Sequence, residues 1–115
     1  MYPIVSIVIP LFNKESTILR AVNSVFAQTN KNFELIIVND GSTDNSAKLI
    51  ESLSEDSRIR LITQNNAGPG AARNRGIREA KTDLIAFLDA DDEWLPGFLD
   101  AVLKLREKFP ACEVF

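Results

Sequence analysis

Four short apolar runs, each ending in a polar cluster and each followed by a stretch of helical spacing, constrain this chain more than anything else in it. The runs are Val5–Ile9, Phe33–Val38, Ile59–Thr63 and Leu84–Leu88. The clusters after them are Asn13–Glu15, Asn39–Asp44, Gln64–Gly70 and Asp89–Glu93. Runs of this length, rich in Val and Ile and bounded by Pro, Gly, Asn and Asp, read as strands. Strands that alternate with helices pair in parallel through right-handed βαβ crossovers. The runs are almost continuously apolar rather than alternating, so helices are expected on both faces of the sheet. The polar clusters then share one edge, at the carboxyl ends of the strands, where open α/β sheets bind ligands.

The helical stretches have their own punctuation. Asn13-Lys14-Glu15-Ser16 offers a cap for a helix whose apolar positions are Ile18, Leu19, Val22, Val25 and Phe26. After Asp44, a second helix carries Ala47, Ile50 and Leu53 on one side. A third is expected over 71–80, weakened by Gly76, and a fourth with Pro96 in its first turn, running to about Phe109. Pro10 is expected to stop the first strand and Pro110 the last helix, with Cys112–Phe115 opening a fifth strand. No repeat, low-complexity tract or linker interrupts the pattern. Residues 1–115 are expected to form one domain-sized part of a longer chain, because they end in an apolar residue of a strand just begun.

Composition narrows the functions. The chain is 45% hydrophobic, enough for a core, and its 13 Lys+Arg against 16 Asp+Glu give a net charge of −3. That balance argues against a nucleic-acid partner, which calls for a basic face. No apolar run approaches the roughly 18 residues of a membrane span. Met1-Tyr2-Pro3-Ile4 lacks a basic n-region, so no secretory signal is expected. A single cysteine, Cys112, forms no internal disulfide, reads as a small buried hydrophobe and fits a reducing, cytoplasmic setting. Histidine is absent. Zinc held by His, Ser-His-Asp chemistry and a His general base are thereby removed, leaving carboxylates, amines and water for acid–base work.

Asp89-Ala90-Asp91-Asp92 closes the fourth apolar run. Crowding three carboxylates costs Coulomb energy that a divalent cation removes, and Mg²⁺ or Mn²⁺ takes hard oxygen ligands of this kind. Asp89, Asp91 and Asp92 are therefore candidate metal ligands with open positions for a phosphate; the alternative is a turn with caps for the last helix. Asp40, just before Gly41, is placed to accept from a base N–H or a ribose hydroxyl, or to serve as a turn carboxylate. Asp44 reads as an acid in a first helical turn. Gly68-Pro69-Gly70-Ala71-Ala72 sets small residues where the backbone passes close to something. Beyond it, Arg73 is suited to neutralise phosphate and Asn74 to bond backbone or ligand, unless both belong to a solvated face with Arg75 and Arg78. The first strand–helix turn, Pro10-Leu11-Phe12-Asn13-Lys14-Glu15, lacks the glycines of a dinucleotide site or a P-loop. Trp94 reads as a packing residue.

Taken in order, four stretches carry a resemblance: Val5–Glu15, Ile37–Asp44, Asn66–Gly76 and Phe87–Asp92. The chain resembles the N-terminal, nucleotide-binding half of the inverting family 2 glycosyltransferases. The resemblance implies the GT-A fold, a Rossmann-like three-layer α/β/α sandwich with a mainly parallel sheet. It implies transfer of a sugar from a nucleoside-diphosphate donor, most often a UDP-sugar, to a carbohydrate or lipid-linked acceptor hydroxyl. Asp89-Ala90-Asp91 matches the family's DXD motif, with Asp91 the direct ligand of Mn²⁺ or Mg²⁺ and Asp89 nearer the ribose. Asp40 matches the acid that reads the base. Pro10, Phe12 and Glu15 match the base and ribose pocket, with Phe12 where many relatives have Tyr, and Arg73 and Asn74 match the stretch beside the diphosphate. The general base and acceptor surface are expected outside this stretch, as is any membrane association. The isolated chain is expected not to turn over, and its open sheet edge to favour pairing between copies. Competing classes are a non-catalytic nucleotide-sugar-binding module, a phospho-receiver, which needs an acidic pair after the first strand, and a nicotinamide oxidoreductase, which needs the glycine fingerprint.

Overall fold

The computed structural model describes residues 3–53 and 55–109. Its strands are β1 (Val5–Leu11), β2 (Phe33–Asp40), β3 (Ile59–Gln64) and β4 (Ile85–Phe87); its helices are α1 (Ile18–Phe26), α2 (Ser46–Glu51), α3 (Pro69–Glu79) and α4 (Phe98–Lys108). The four strands form one parallel sheet in the order β3-β2-β1-β4. Val5 pairs with Phe33 and Leu11 with Asn39; Leu35 pairs with Ile59, and Ser6 with Ile85.

Strand alternation sorts the core into two layers. Val5, Ile7, Ile9, Leu11, Leu35 and Ile37 face a large cluster completed by Ile18, Val22 and Val25 of α1, Ile50 of α2, and Leu99 and Val102 of α4. Val8, Ile36 and Val38 face the other way, onto Ala72 of α3. The chain steps β1 to β2 to β3 in one direction with α1 and α2 on one side, then crosses back beyond β1 with α3 on the opposite side. Crossovers of a single hand require that change of face. The reversal leaves a crevice between the carboxyl ends of β1 and β4. The expected three-layer, Rossmann-like α/β sandwich is the fold observed.

Several local expectations need correction. Pro10 lies inside β1, paired with Val38. Ser6 N–H donates to Leu84 O and Val8 O accepts from Leu88 N–H, so even-numbered positions of β1 face β4. β4 has ended by the level of Pro10, whose missing N–H therefore breaks no ladder bond. Asn13–Ser16 does not cap α1: the helix starts after Thr17 with no side-chain cap bond, and Asn13 bonds to another loop. α3 begins at Pro69, earlier than expected, because a proline is free of cost at the first helical position. Pro96 precedes α4, whose N-cap is Gly97, and its carbonyl accepts from Thr29 N–H. Trp94 packs as expected, stacked on Phe98 at 4.3 Å between ring centres. The expected fifth strand and Cys112 lie outside the described residues.

Candidate functional site

The crevice at the β1–β4 switch holds a cavity of about 490 Å³. Pro10, Phe12, Asp40, Arg73, Asp89 and Asp91, all singled out from sequence, line it together. Glu15 and Asn74 are exposed and lie outside its lining. Lys14, Asn66, Gly68 and Pro69 line it without having been singled out as binding residues. Lys14 was legible only as a cap, since nothing in a lone lysine after Asn marks it as pointing along a cleft.

Asp40 forms one wall. It is only 3% exposed, at the end of β2. Its Oδ1 accepts from Ala67 N–H at 2.8 Å and Gln64 Nε2 at 3.0 Å; its Oδ2 accepts from Gly68 N–H at 2.9 Å and Asn66 Nδ2 at 3.5 Å. Burial pushes this carboxyl up, but the Gln64, Ala67 and Gly68 donors outweigh it and hold it below the usual carboxylate range. Four donors fill about the full acceptor capacity of a carboxylate. The contacts of Asp40 therefore give it a definite task within the protein: it folds the 64–68 loop over the crevice. Gly41 allows this closeness, having φ 74° and no Cβ where one would stand 2.9 Å from Asn66 N.

The opposite wall is acidic. Asp89, Asp91 and Asp92 are exposed, and one oxygen from each lies within 4.8 Å of the others. Asp92 N–H donates to Asp89 O at 3.0 Å, a tight turn that turns the three side chains together. Two trans ligands of a Mg²⁺-sized ion stand about 4.2 Å apart. Small rotations of exposed side chains close that difference, so the donor set fits a hard divalent cation. Cations of the protein already lean on these acids. Arg73 Nη2 is 3.3 Å from Asp89 Oδ1, and Lys14 Nζ is 3.9 Å from Asp91 Oδ2. Arg20 donates to Asp91 O at 2.8 Å and sits 4.0 Å from Glu93. Half-exposed pairs of this kind contribute little stability, so their partners exchange readily for an ion or a phosphate. A second cavity of about 370 Å³, lined by Phe87, Asp92 and Trp94 among others, meets the first across Arg73 and Asp89.

Comparison with known proteins agrees with this fold. A glycosyltransferase of Rickettsia felis is 43% identical over 104 residues, covering 90% of this chain and 17% of that protein. Glycosyltransferase GlyA of Streptococcus pneumoniae serotype 4 is 40% identical over 108 residues, covering 93% of this chain and 16% of its own length. The chain thus spans about a sixth of the length of these relatives. Among solved structures, S. aureus TarS 1-349 in complex with UDP-GlcNAc superposes with a TM-score of 0.85 at 26% identity, over 91% of this chain and 31% of that one. A mannosyltransferase of Pyrobaculum calidifontis, at 22% identity and a TM-score of 0.73 over 82% of this chain and 29% of its own, shares the fold. The description Glycosyl transferase family 2 matches residues 6–113, and this chain belongs to that family.

Proposed function

We propose that the β1–β4 cleft binds the nucleoside diphosphate of a sugar donor with a divalent cation, and that the protein transfers the sugar to an acceptor hydroxyl with inversion. The observation that carries this reading is the joining, in one cavity, of the Asp89 and Asp91 acids with Lys14 and Arg73, with Asp92 beside them in the adjoining cavity. Acids for a cation and bases for phosphate oxygens, exposed side by side in one cleft, suit a diphosphate lying between them. Pro10 and Phe12 offer an apolar wall for the base, at the end of the cleft closed by Asp40. Asp40 acts on the base through the loop it folds, since its own oxygens are engaged. UDP is the nucleotide of choice, in keeping with the UDP-GlcNAc complex of TarS.

Mn²⁺ or Mg²⁺ bound by Asp91 and Asp89 would act as a Lewis acid on the departing diphosphate. Lys14 and Arg73 swing from Asp91 and Asp89 to phosphate oxygens, adding positive charge where negative charge develops. Charge stabilisation at the leaving group is thus assigned to this chain. The base that takes the acceptor proton is assigned to the rest of a longer protein, together with the acceptor surface. On this proposal the 115 residues are the donor-binding part of a GT-A domain, and by themselves they do not turn over. A cytoplasmic site of action and a carbohydrate or lipid-linked acceptor complete the reading.

Calorimetric titration of UDP into the full-length protein tests it. UDP is expected to bind more tightly with Mn²⁺ than without, and Asp91→Ala is expected to abolish that difference. Equal UDP affinity with and without the cation, or an unaltered cation effect in Asp91→Ala, rejects the site.

A further inference from the structure

Phe12 and Lys14 line the cleft, and Asn13 between them does not. Asn13 is also the one non-glycine among the described residues with positive φ, at 50°. Asn tolerates that left-handed conformation better than most residues, but it is adopted here for a purpose. The turn sends the Asn13 side chain away from the cleft and onto the loop that follows β2. There its Oδ1 accepts from Thr43 N–H at 2.7 Å and from Asp44 N–H at 3.2 Å. The second loop answers. The backbone N–H groups of Asn13, Lys14 and Glu15 donate in turn to Ser42 Oγ at 3.0 Å, Ser46 Oγ at 2.9 Å and Asp44 Oδ2 at 3.2 Å. Asp44 Oδ1 accepts from Ser46 N–H at 2.9 Å, and Ser46 is fully buried, so the second loop is itself anchored at the start of α2.

We propose that Asn13 is a positioning residue that sets the nucleotide affinity of the cleft without touching the ligand. The inference rests on the nucleotide reading of the cleft given above. Residues 12 and 14 carry the apolar face for the base and the cation for the diphosphate, at the two ends of one short loop. That loop has no regular structure of its own, and Phe12 and Lys14 are both exposed. Unclasped, it would have to be ordered by the ligand, and the ordering cost would be subtracted from affinity. Clasped by Asn13 on one side and by Ser42, Asp44 and Ser46 on the other, it presents both side chains before any nucleotide arrives.

Two substitutions at Asn13 test this in the full-length protein. Asn13→Gly keeps access to positive φ and removes the acceptor; Asn13→Asp keeps an acceptor in the same place. UDP affinity is measured in saturating Mn²⁺, alongside Mn²⁺ affinity without nucleotide. With the two backbone donors to its Oδ1 left without their acceptor, Asn13→Gly is expected to weaken UDP binding about tenfold. Mn²⁺ affinity should stay at the parent value, and Asn13→Asp should recover most of the lost UDP affinity. Ser42→Ala, which removes one acceptor on the far side of the clasp, should weaken UDP binding in the same direction. The inference is overturned if Asn13→Gly binds UDP within about twofold of the parent, if Mn²⁺ affinity falls in parallel, or if Asn13→Asp recovers nothing. If the parent protein itself binds no UDP, the nucleotide reading fails and this inference with it, an outcome visible before any variant is made.

Discussion

Gly76 lies in mid-α3, where alanine would ordinarily favour the helix by up to about 1 kcal/mol. A Cβ there would stand 2.3 Å from Val8 Cγ1 and 2.9 Å from Val8 Cγ2. Both Val8 and Gly76 are buried, and Val8 sits in a central strand that cannot retreat. Overpacking of a closed core costs about 1–3 kcal/mol, which exceeds the helical gain. Gly76→Ala is therefore expected to lower stability by about 1–2 kcal/mol, read from the urea midpoint, and Val8→Ala in the same chain should return part of it. Asp40→Asn tests a different demand. Each oxygen of Asp40 accepts from a backbone N–H, Ala67 on one and Gly68 on the other. Whichever way an asparagine amide is turned, its NH₂ group meets one of those donors. The expected cost is about 2 kcal/mol, and the 64–68 amide signals in an NMR spectrum should shift most.

Glu34 shows what a linear reading of elements leaves out. The run Phe33–Val38 looks apolar enough to be a buried strand, and it is one, yet its second residue is a carboxylate only 6% exposed. Its Oε2 accepts from Ser6 Oγ at 2.5 Å and Lys81 N–H at 2.7 Å, while Oε1 stands 3.5 Å from Arg60. Arg60 also donates to Glu79 O and pairs with Glu79 Oε2, so one side chain ties β2 and β3 to the end of α3. Those partners come from three distant points of the sequence, and no local pattern announces them. The same is true of Asn13, which looks like a helix cap and is instead the acceptor for a loop some thirty residues away in sequence. Strands and helices were legible because their signals, short apolar runs and helical spacing, are local; joints between elements were not, because they pair residues by space alone. Arg60→Ala should expose the difference. It leaves Glu34 buried without its cation and unties α3, for an expected loss of about 2 kcal/mol. Glu34→Gln combined with Arg60→Ala should cost less than Arg60→Ala alone, as a thermodynamic cycle will register.

The molecule as a whole gathers its chemistry at one rim because all four strands run the same way, and that much followed from alternation in the sequence. Asp89 and Asp91 meet Phe12 and Arg73 there; the shared edge followed from the strand alternation, and the place of Phe12 from the family resemblance. The part that Asp40 plays did not follow, since a carboxylate before a glycine looks the same whether it faces ligand or loop. The charged groups also fix how the fold answers acid. With no histidine in the chain, no side chain has an ordinary pKa between about 5 and 8. Asp40, Asp44, Asp56 and Glu79 all titrate below their ordinary values of 3.8 for Asp and 4.5 for Glu. For Asp40 the Gln64, Ala67 and Gly68 donors prevail over burial; for Asp44 the Ser46 hydroxyl leads, for Asp56 the Arg58 guanidinium, and for Glu79 Arg75 with Arg60. A carboxyl whose folded pKa is depressed binds fewer protons when folded than when unfolded. It stabilises the fold above its unfolded pKa, and that contribution is lost as pH falls through the lower, folded value. The melting temperature is therefore expected to stay level from about pH 5.5 to 8 and to fall steadily below about pH 4. A stability transition centred near pH 6, measured by differential scanning calorimetry, would contradict this account of the charges.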